Sequence, residues 1–296
     1  MSRRQKNQKN KGLALIFFTL ITVFILVGLS FSYLQKTSKT QVNKPKQSKV
    51  QLKKAATAKE EKSKWTKESE PIALPNLMYH AVHVMAPSES ANANLIVDPT
   101  TFEEQIKAMS EAGYYFLTPE EAYRVLKNNE KPAEKIVWLT FDDSMIDFYQ
   151  VAYPIMTKYH VKATNNVITA FTDEKRVSNL SLEQMAEMKK NGMSFQDHTV
   201  NHPDLSKQSP ELQKAELKES KDYLDTNLNQ NTIAVAYPSG RYSDTTLEIA
   251  NSLNYKLGVT TNEGLASATN GLLSLNRIRI LPSTSADLLL QQISIP

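Results

Sequence analysis

From Leu74 onward the chain alternates short apolar runs with amphipathic stretches, a pattern that predicts strands separated by helices. Leu74 to Tyr79 reads as a strand, and Thr100-Thr101-Phe102-Glu103 as a capping box opening a helix to about Ala112. Tyr114 to Leu117 is a short strand, and Thr118-Pro119-Glu120-Glu121 caps the next helix with proline at its first position. The apolar run Ile136 to Phe141 is a buried strand, Phe148 to Tyr159 is helical, and Ala163 to Thr169 is a strand. Ser181-Leu182-Glu183-Gln184 caps a helix ending near Asn191-Gly192, and Ser194 to Gln196 is a strand. Ser209-Pro210 opens a long charged helix to about Leu228. Ile233 to Ala236 is a strand, Asp244 to Leu253 a helix, Lys256 to Thr260 a strand and Leu273 to Ile280 the final strand.

Such alternation predicts a mainly parallel sheet with helices outside, as a barrel or an open sheet. The residues able to do chemistry fall just after strand ends: His80, Asp142 and Asp143, His198 and His202, and Tyr237-Pro238-Ser239-Gly240. Polar groups gathered at the carboxyl ends of several strands favour a distorted (β/α) barrel of about seven parallel strands with outer helices.

The N-terminal quarter follows a different pattern. Residues 1–11 carry Arg3, Arg4, Lys6, Lys9 and Lys11 and no acid. Residues 12–34 form an apolar run of roughly 22 residues, long enough to cross a hydrocarbon core as a helix. The basic flank predicts a cytoplasmic N-terminus and an extracellular remainder, hence a single-pass protein of the cell membrane. A cleaved signal peptide is the rival, but Gly28-Leu29-Ser30 makes a poor cleavage site. Residues 35–70 are rich in lysine, glutamine and serine and predict a flexible linker. Residues 71–296 are the folded domain.

This division changes the meaning of the charge. The formal +4 contains +5 from the flank and +7 from the linker, which leaves the folded domain at −8. The basic balance therefore does not point to nucleic acid. Cysteine is absent, so disulfide and thiolate chemistry are excluded.

Asp142 and Asp143 end the buried strand, and His198 and His202 stand four positions apart, so on a helical turn their rings would point the same way. One carboxylate and two imidazoles can hold a divalent metal and leave positions open, and the second aspartate is left for proton transfer. Taken singly, the aspartates also read as a helix cap and the histidine spacing as chance. Taken together, after strand ends, they describe a metal hydrolase.

Thr140-Phe141-Asp142-Asp143 and His198-Thr199-Val200-Asn201-His202 resemble the first two motifs of the polysaccharide deacetylases (carbohydrate esterase family 4, the NodB-homology domain). Ala236-Tyr237-Pro238-Ser239-Gly240-Arg241-Tyr242 is similar to the third motif, and Asn76-Leu77-Met78-Tyr79-His80 to the opening strand of members acting on cell-surface glycans. The resemblance implies Asp143, His198 and His202 as metal ligands, normally for Zn2+, and Asp142 as general base. It implies Tyr237, Pro238, Gly240 and Tyr242 as the groove and oxyanion elements, with a backbone N–H from Tyr242.

Three positions depart from the family pattern. Ser144 stands where glycine usually follows the aspartates. No histidine lies in the last strand, where the family's acid is usually found, and of the five histidines two are taken by metal, so the acid role passes to His80. His160 reads as a surface or capping residue and His83 as a rim residue. The arginine usual before the third-motif proline is missing, and Arg277 or Arg279 is the candidate replacement behind Asp142; equally, both are surface charges on an edge strand. Asp197 is a candidate partner for a metal-bound imidazole, or an ordinary loop aspartate.

The sequence thus predicts a monomeric, membrane-anchored, extracellular metal-dependent deacetylase removing N-acetyl groups from N-acetylglucosamine-type sugars of a cell-wall polysaccharide. Peptidoglycan, a wall-polysaccharide linkage unit and poly-N-acetylglucosamine are the candidate glycans. The alternatives are an inactive wall-glycan-binding domain and an O-acetyl esterase.

Overall fold

Seven parallel strands close into a barrel in the computed structural model, which describes residues 64–294. They are β1 (Asn76–Tyr79), β2 (Ile136–Phe141), β3 (Ala163–Val167), β4 (Met193–Asp197), β5 (Ala234–Ala236), β6 (Leu257–Glu263) and β7 (Leu275–Arg279). Neighbours run β1-β7-β6-β5-β4-β3-β2, and β1 pairs with β2 from Asn76↔Trp138 to Tyr79↔Phe141, which closes the ring. The short strand Tyr115–Phe116 adds to the start of β2. The predicted membrane span at 12–34 lies outside the described residues, among which no helix is long and apolar enough to cross a membrane.

Strand β2 explains why the barrel closes. All six of its residues are buried, as a strand covered on both faces requires. Val137, Leu139 and Phe141 pack with Phe102, Phe148 and Phe195 in the layer beneath the helices. Trp138 and Thr140 alternate with them and face the interior, where Trp138 Nε1 donates to Thr164 Oγ1 at 2.9 Å. Asp142 continues that inward parity one residue past the strand.

The helices begin where local chemistry sets them. Thr118 and Glu121 make a reciprocal capping box for α2 (Pro119–Asn128), and Ser181 and Gln184 do so for α4 (Leu182–Lys189). Ser209 caps α5 (Pro210–Leu228). Helix α1 (Pro99–Glu111) starts earlier than the Thr100–Glu103 box predicts, because Asp98 takes the cap, accepting from Thr100 N at 2.8 Å, and Pro99 sits at the first turn. A π turn at Phe148–Ala152 leads into α3 (Tyr153–Lys158), and α6 spans Asp244–Ser252. A terminal helix α7 (Ala286–Ile293), not predicted from sequence, buries Leu289 and Ile293.

Two further features differ from expectation. The final strand β7 lies between β1 and β6 and is not an edge. The fold also begins before residue 71: Thr66–Lys67 pairs antiparallel with Glu130–Lys131, and the Arg124 guanidinium lies 4.0 Å from the Trp65 ring centroid.

Candidate active site

The carboxyl ends of the strands gather the candidate residues. Asp142 and Asp143 leave β2 in a turn in which Asp143 (φ 75°) and Ser144 (φ 49°) are both left-handed. Asn179 braces that turn by donating to Asp143 O at 2.9 Å. His198 and His202 follow β4 in a loop, not on the helical turn the spacing suggested; Thr199 (φ 66°) and His202 (φ 60°) are left-handed there. That loop brings the two imidazole centroids to 4.7 Å.

The three proposed ligands converge. Asp143 Oδ1 stands 3.3 Å from His198 Nε2 and 3.7 Å from His202 Nε2, and one donor atom from each residue lies within 4.8 Å of the others. Donors each about 2.1 Å from a common tetrahedral ion would stand about 3.4 Å apart, so the trio fits a divalent cation such as zinc. His198 Nδ1–H donates to Ala236 O at 2.7 Å, which leaves Nε2 as the lone-pair nitrogen facing Asp143.

Asp142 is held by residues of nearby strands, Arg277 on β7 two strands around the barrel and Asn166 on the adjacent β3. Arg277 Nη1 donates to Asp142 Oδ1 at 2.9 Å and Nη2 to Oδ2 at 2.7 Å, while Arg277 Nε donates to Thr260 O at 2.7 Å. Asn166 Nδ2 adds a third donor to Oδ1 at 2.7 Å. Burial alone would raise the Asp142 carboxyl, but the Arg277 charge, with His198 and His80, holds it far below the usual range. Arg277 is therefore the inward arginine. Arg279, two residues on along the strand, is half-buried and does not bond Asp142.

His80 ends β1 within electrostatic reach of Asp142, Asp143, Arg277 and His198. Burial lowers its pKa, the two aspartates pull it up, and Arg277 and His198 push it down again, for a net depression. His160 is exposed in a turn, and His83 bridges two carboxylates outside the aspartate–histidine cluster.

Two expectations need correction. Asp197 does not pair with an imidazole; it accepts from Thr199 N and Ser220 Oγ, both at 2.6 Å, and from the Tyr255 hydroxyl. Its carboxylate faces the helix behind the loop, so it shapes the turn. Tyr237 does not present a face to the groove either: it is fully buried, donates to Leu273 O at 2.9 Å and packs in a core cluster with Leu205 and Leu217. The Tyr242 ring packs against it tilted by 30°, with centroids 5.1 Å apart, and is half-buried. Gly240 (φ 68°) is required where it stands, since a Cβ there would lie 2.6 Å from Thr261 N.

Asn166 and Thr140 were not singled out from sequence, although polar residues at inward positions of buried strands are the signal that marks them. Thr140 Oγ1 accepts from Arg277 Nη1 at 3.1 Å.

Known proteins resemble this chain in sequence and in fold. A polysaccharide deacetylase family profile matches residues 129–258. YxkH of Bacillus subtilis strain 168, assigned to the polysaccharide deacetylases, is 38% identical over 251 residues, 85% of this chain and 86% of its own. The poly-beta-1,6-N-acetyl-D-glucosamine N-deacetylase of Staphylococcus aureus is 32% identical over 182 residues, 57% of this chain and 62% of its own. The structure of the Streptococcus pyogenes deacetylase PplD in complex with acetate superposes with a TM-score of 0.75 at 68% identity, over 76% of this chain and 100% of that one. With its barrel, its motifs and these relatives, the chain belongs to the polysaccharide deacetylase family, carbohydrate esterase family 4.

Proposed function

We propose that this protein is a metal-dependent N-deacetylase of N-acetylglucosamine-type sugars in a cell-wall glycan, held at the outer face of the cell membrane by residues 12–34. The observation that carries the reading is the convergence of Asp143, His198 and His202 beside an Asp142 clamped by Arg277. The Staphylococcus aureus relative acts on a poly-N-acetylglucosamine, and acetate, bound in the PplD structure, is the product that such a reaction releases.

Asp143, His198 and His202 would hold the ion, with Zn2+ favoured by the N2O donor set. When bound, the ion supplies Lewis acidity, polarising the acetamide carbonyl and acidifying a water. Asp142 would accept the proton of the attacking water. Arg277 and Asn166 fix the Asp142 plane so that both oxygens keep their direction during the transfer. The Tyr242 N–H, engaged by no other group among the described residues, donates to the developing oxyanion. His80, which follows β1 beside Asp142 and Asp143, would deliver the proton to the departing amine.

Acetate release from N-acetylglucosamine oligomers and from isolated wall fractions tests this reading. Activity is expected to vanish on chelation and return with Zn2+. A protein that binds these glycans and releases no acetate when loaded with metal would overturn it.

A further inference from the structure

The loop carrying His198 and His202 is strained, and His202 is one of its strained residues. Two of its five positions, Thr199 and His202, hold left-handed backbones while bearing side chains. Such conformations persist only where the surroundings over-determine them. Inside the loop, His202 N donates to Thr199 Oγ1 at 3.0 Å. The segment after β3 restrains it from one side, with Thr169 N donating to Thr199 O at 3.2 Å and Ala170 N to Val200 O at 3.0 Å, and helix α5 restrains it from another.

Glu216 on α5 is only 6% exposed, and its hydrogen bonds are all to one residue, Asn201. Asn201 N donates to Oε2 and Asn201 Nδ2 to Oε1, both at 2.8 Å. No ion pair joins Glu216 among the described residues. A nearly buried carboxylate without a cation is costly, and this one is wholly committed to the residue that precedes His202. Ser220, one helical turn further along the same face, donates to Asp197 Oδ1 at 2.6 Å. Helix α5 therefore grips the residue that precedes each of the two histidines.

The two imidazoles are not held alike. His198 is oriented through its ring, by the bond from Nδ1 to Ala236 O. The His202 ring has only its own main chain for such a bond, and its side chain is 31% exposed. A ligating histidine is normally aimed by a partner on its second nitrogen. For His202 the aim has to come from the backbone.

We propose that Glu216 is a positioning residue for His202, acting through Asn201 to fix the ligand before a metal arrives. The inference rests on reading Asp143, His198 and His202 as the metal site. Glu216→Gln keeps the volume but can accept only one of the two N–H groups, and Asn201→Ala removes the Nδ2 donor to Oε1 while the main-chain donor to Oε2 stays, without touching the helix core.

The full chain, stripped of metal, is titrated with Zn2+ against a competing chelator, and the metal-free melting temperature is recorded in parallel. Both variants are expected to bind Zn2+ about 10- to 100-fold more weakly, the range for lost outer partners of metal ligands. The double variant should bind no more weakly than the weaker single one, and Asn201→Ala, which leaves Glu216 Oε1 without its donor, should melt modestly below the parent. Zn2+ affinity within twofold of the parent in Asn201→Ala would overturn the proposal, whatever happens to the folding of Glu216→Gln. A parent chain with no Zn2+ affinity at all would instead mark failure of the metal reading itself.

Discussion

Arg277 and Asp142 meet as a two-bonded ion pair inside the barrel, one from its last strand and one just past its second, at 2.9 and 2.7 Å. Both side chains are essentially excluded from solvent. Breaking a buried pair by removing one partner leaves an uncompensated charge, which costs about 3–5 kcal/mol. Arg277→Ala is expected to lose that much in denaturant unfolding. Arg277→Lys restores a charge but not the planar fork, so it should recover part of the stability and little of the activity. A loss below about 1 kcal/mol for the alanine variant would show that the pair does not hold the barrel.

Asp142→Asn should lower acetate release by about 10²- to 10⁴-fold, the usual worth of a positioned base. Its Zn2+ content should stay at the parent level, because Asp142 does not belong to the Asp143–His198–His202 trio. The amide also leaves Arg277 without its charge partner, so unfolding must be measured beside turnover. A stable, metal-loaded variant with substantial activity would remove Asp142 from the base role.

Ser144 occupies a left-handed position at φ 49°, and its buried Oγ has no hydrogen-bond partner. Glycine relieves both the backbone and the orphaned hydroxyl, whereas alanine relieves only the hydroxyl. The expected order of stability is therefore Gly above Ala above Ser, with Ser144→Gly gaining about 1 kcal/mol after the greater freedom of its unfolded chain is subtracted. Thermal unfolding of the three proteins checks the order, and a glycine variant less stable than the parent contradicts it.

The elements most legible in the sequence were those set by local chemistry. The caps at Thr118, Ser181 and Ser209 involve residues only three apart, and the run Ile136–Phe141 matches its strand at both ends. What depends on distant partners was not legible. Arg277 and Arg279 share a parity along β7, so alternation cannot choose between them; the choice is made by Asp142, 135 residues away. Tyr237 looked like a groove residue because its motif lines the groove, but its hydroxyl reaches Leu273 and the ring goes to the core. Glu216 reads as one more charge on a polar helix until the histidine loop is laid against it. The helix at Ala286–Ile293 is short, and what stabilises it is packing against α1, which its own residues do not announce.

His83 predicts a pH dependence away from the aspartate–histidine cluster. Its Nδ1 lies 2.8 Å from Asp147 Oδ2 and its Nε2 3.1 Å from Glu89 Oε1, and since carboxylates only accept, both ring nitrogens must carry protons. Burial opposes that charge, but Asp147 and Glu89 outweigh it and raise the pKa above 6.5. A raised folded pKa contributes stability that is full below the ordinary value of 6.5 and is lost as pH rises through the raised one. The segment Pro87–Leu95, anchored through Glu89, should loosen in that window. NMR titration of the His83 ring gives the pKa directly, and His83→Gln should abolish the pH dependence of proteolysis in the segment. A ring pKa at or below 6.5 would contradict this.

His80 separates amide from ester chemistry. An amine leaves only when protonated, whereas an aryl oxide departs without help, so a proton donor matters to the first and hardly to the second. His80→Ala should therefore slow acetate release from N-acetylglucosamine oligomers by about 10²- to 10⁴-fold while changing hydrolysis of an aryl acetate only slightly. Loss of the Zn2+ site would depress both reactions together, as would collapse of the Asp142–Arg277 pair. The ratio of the two rates thus isolates proton delivery from every other way His80 contributes. Equal slowing on both substrates would make His80 a structural neighbour of Asp142 and Asp143 and leave the acid to be found elsewhere on the rim.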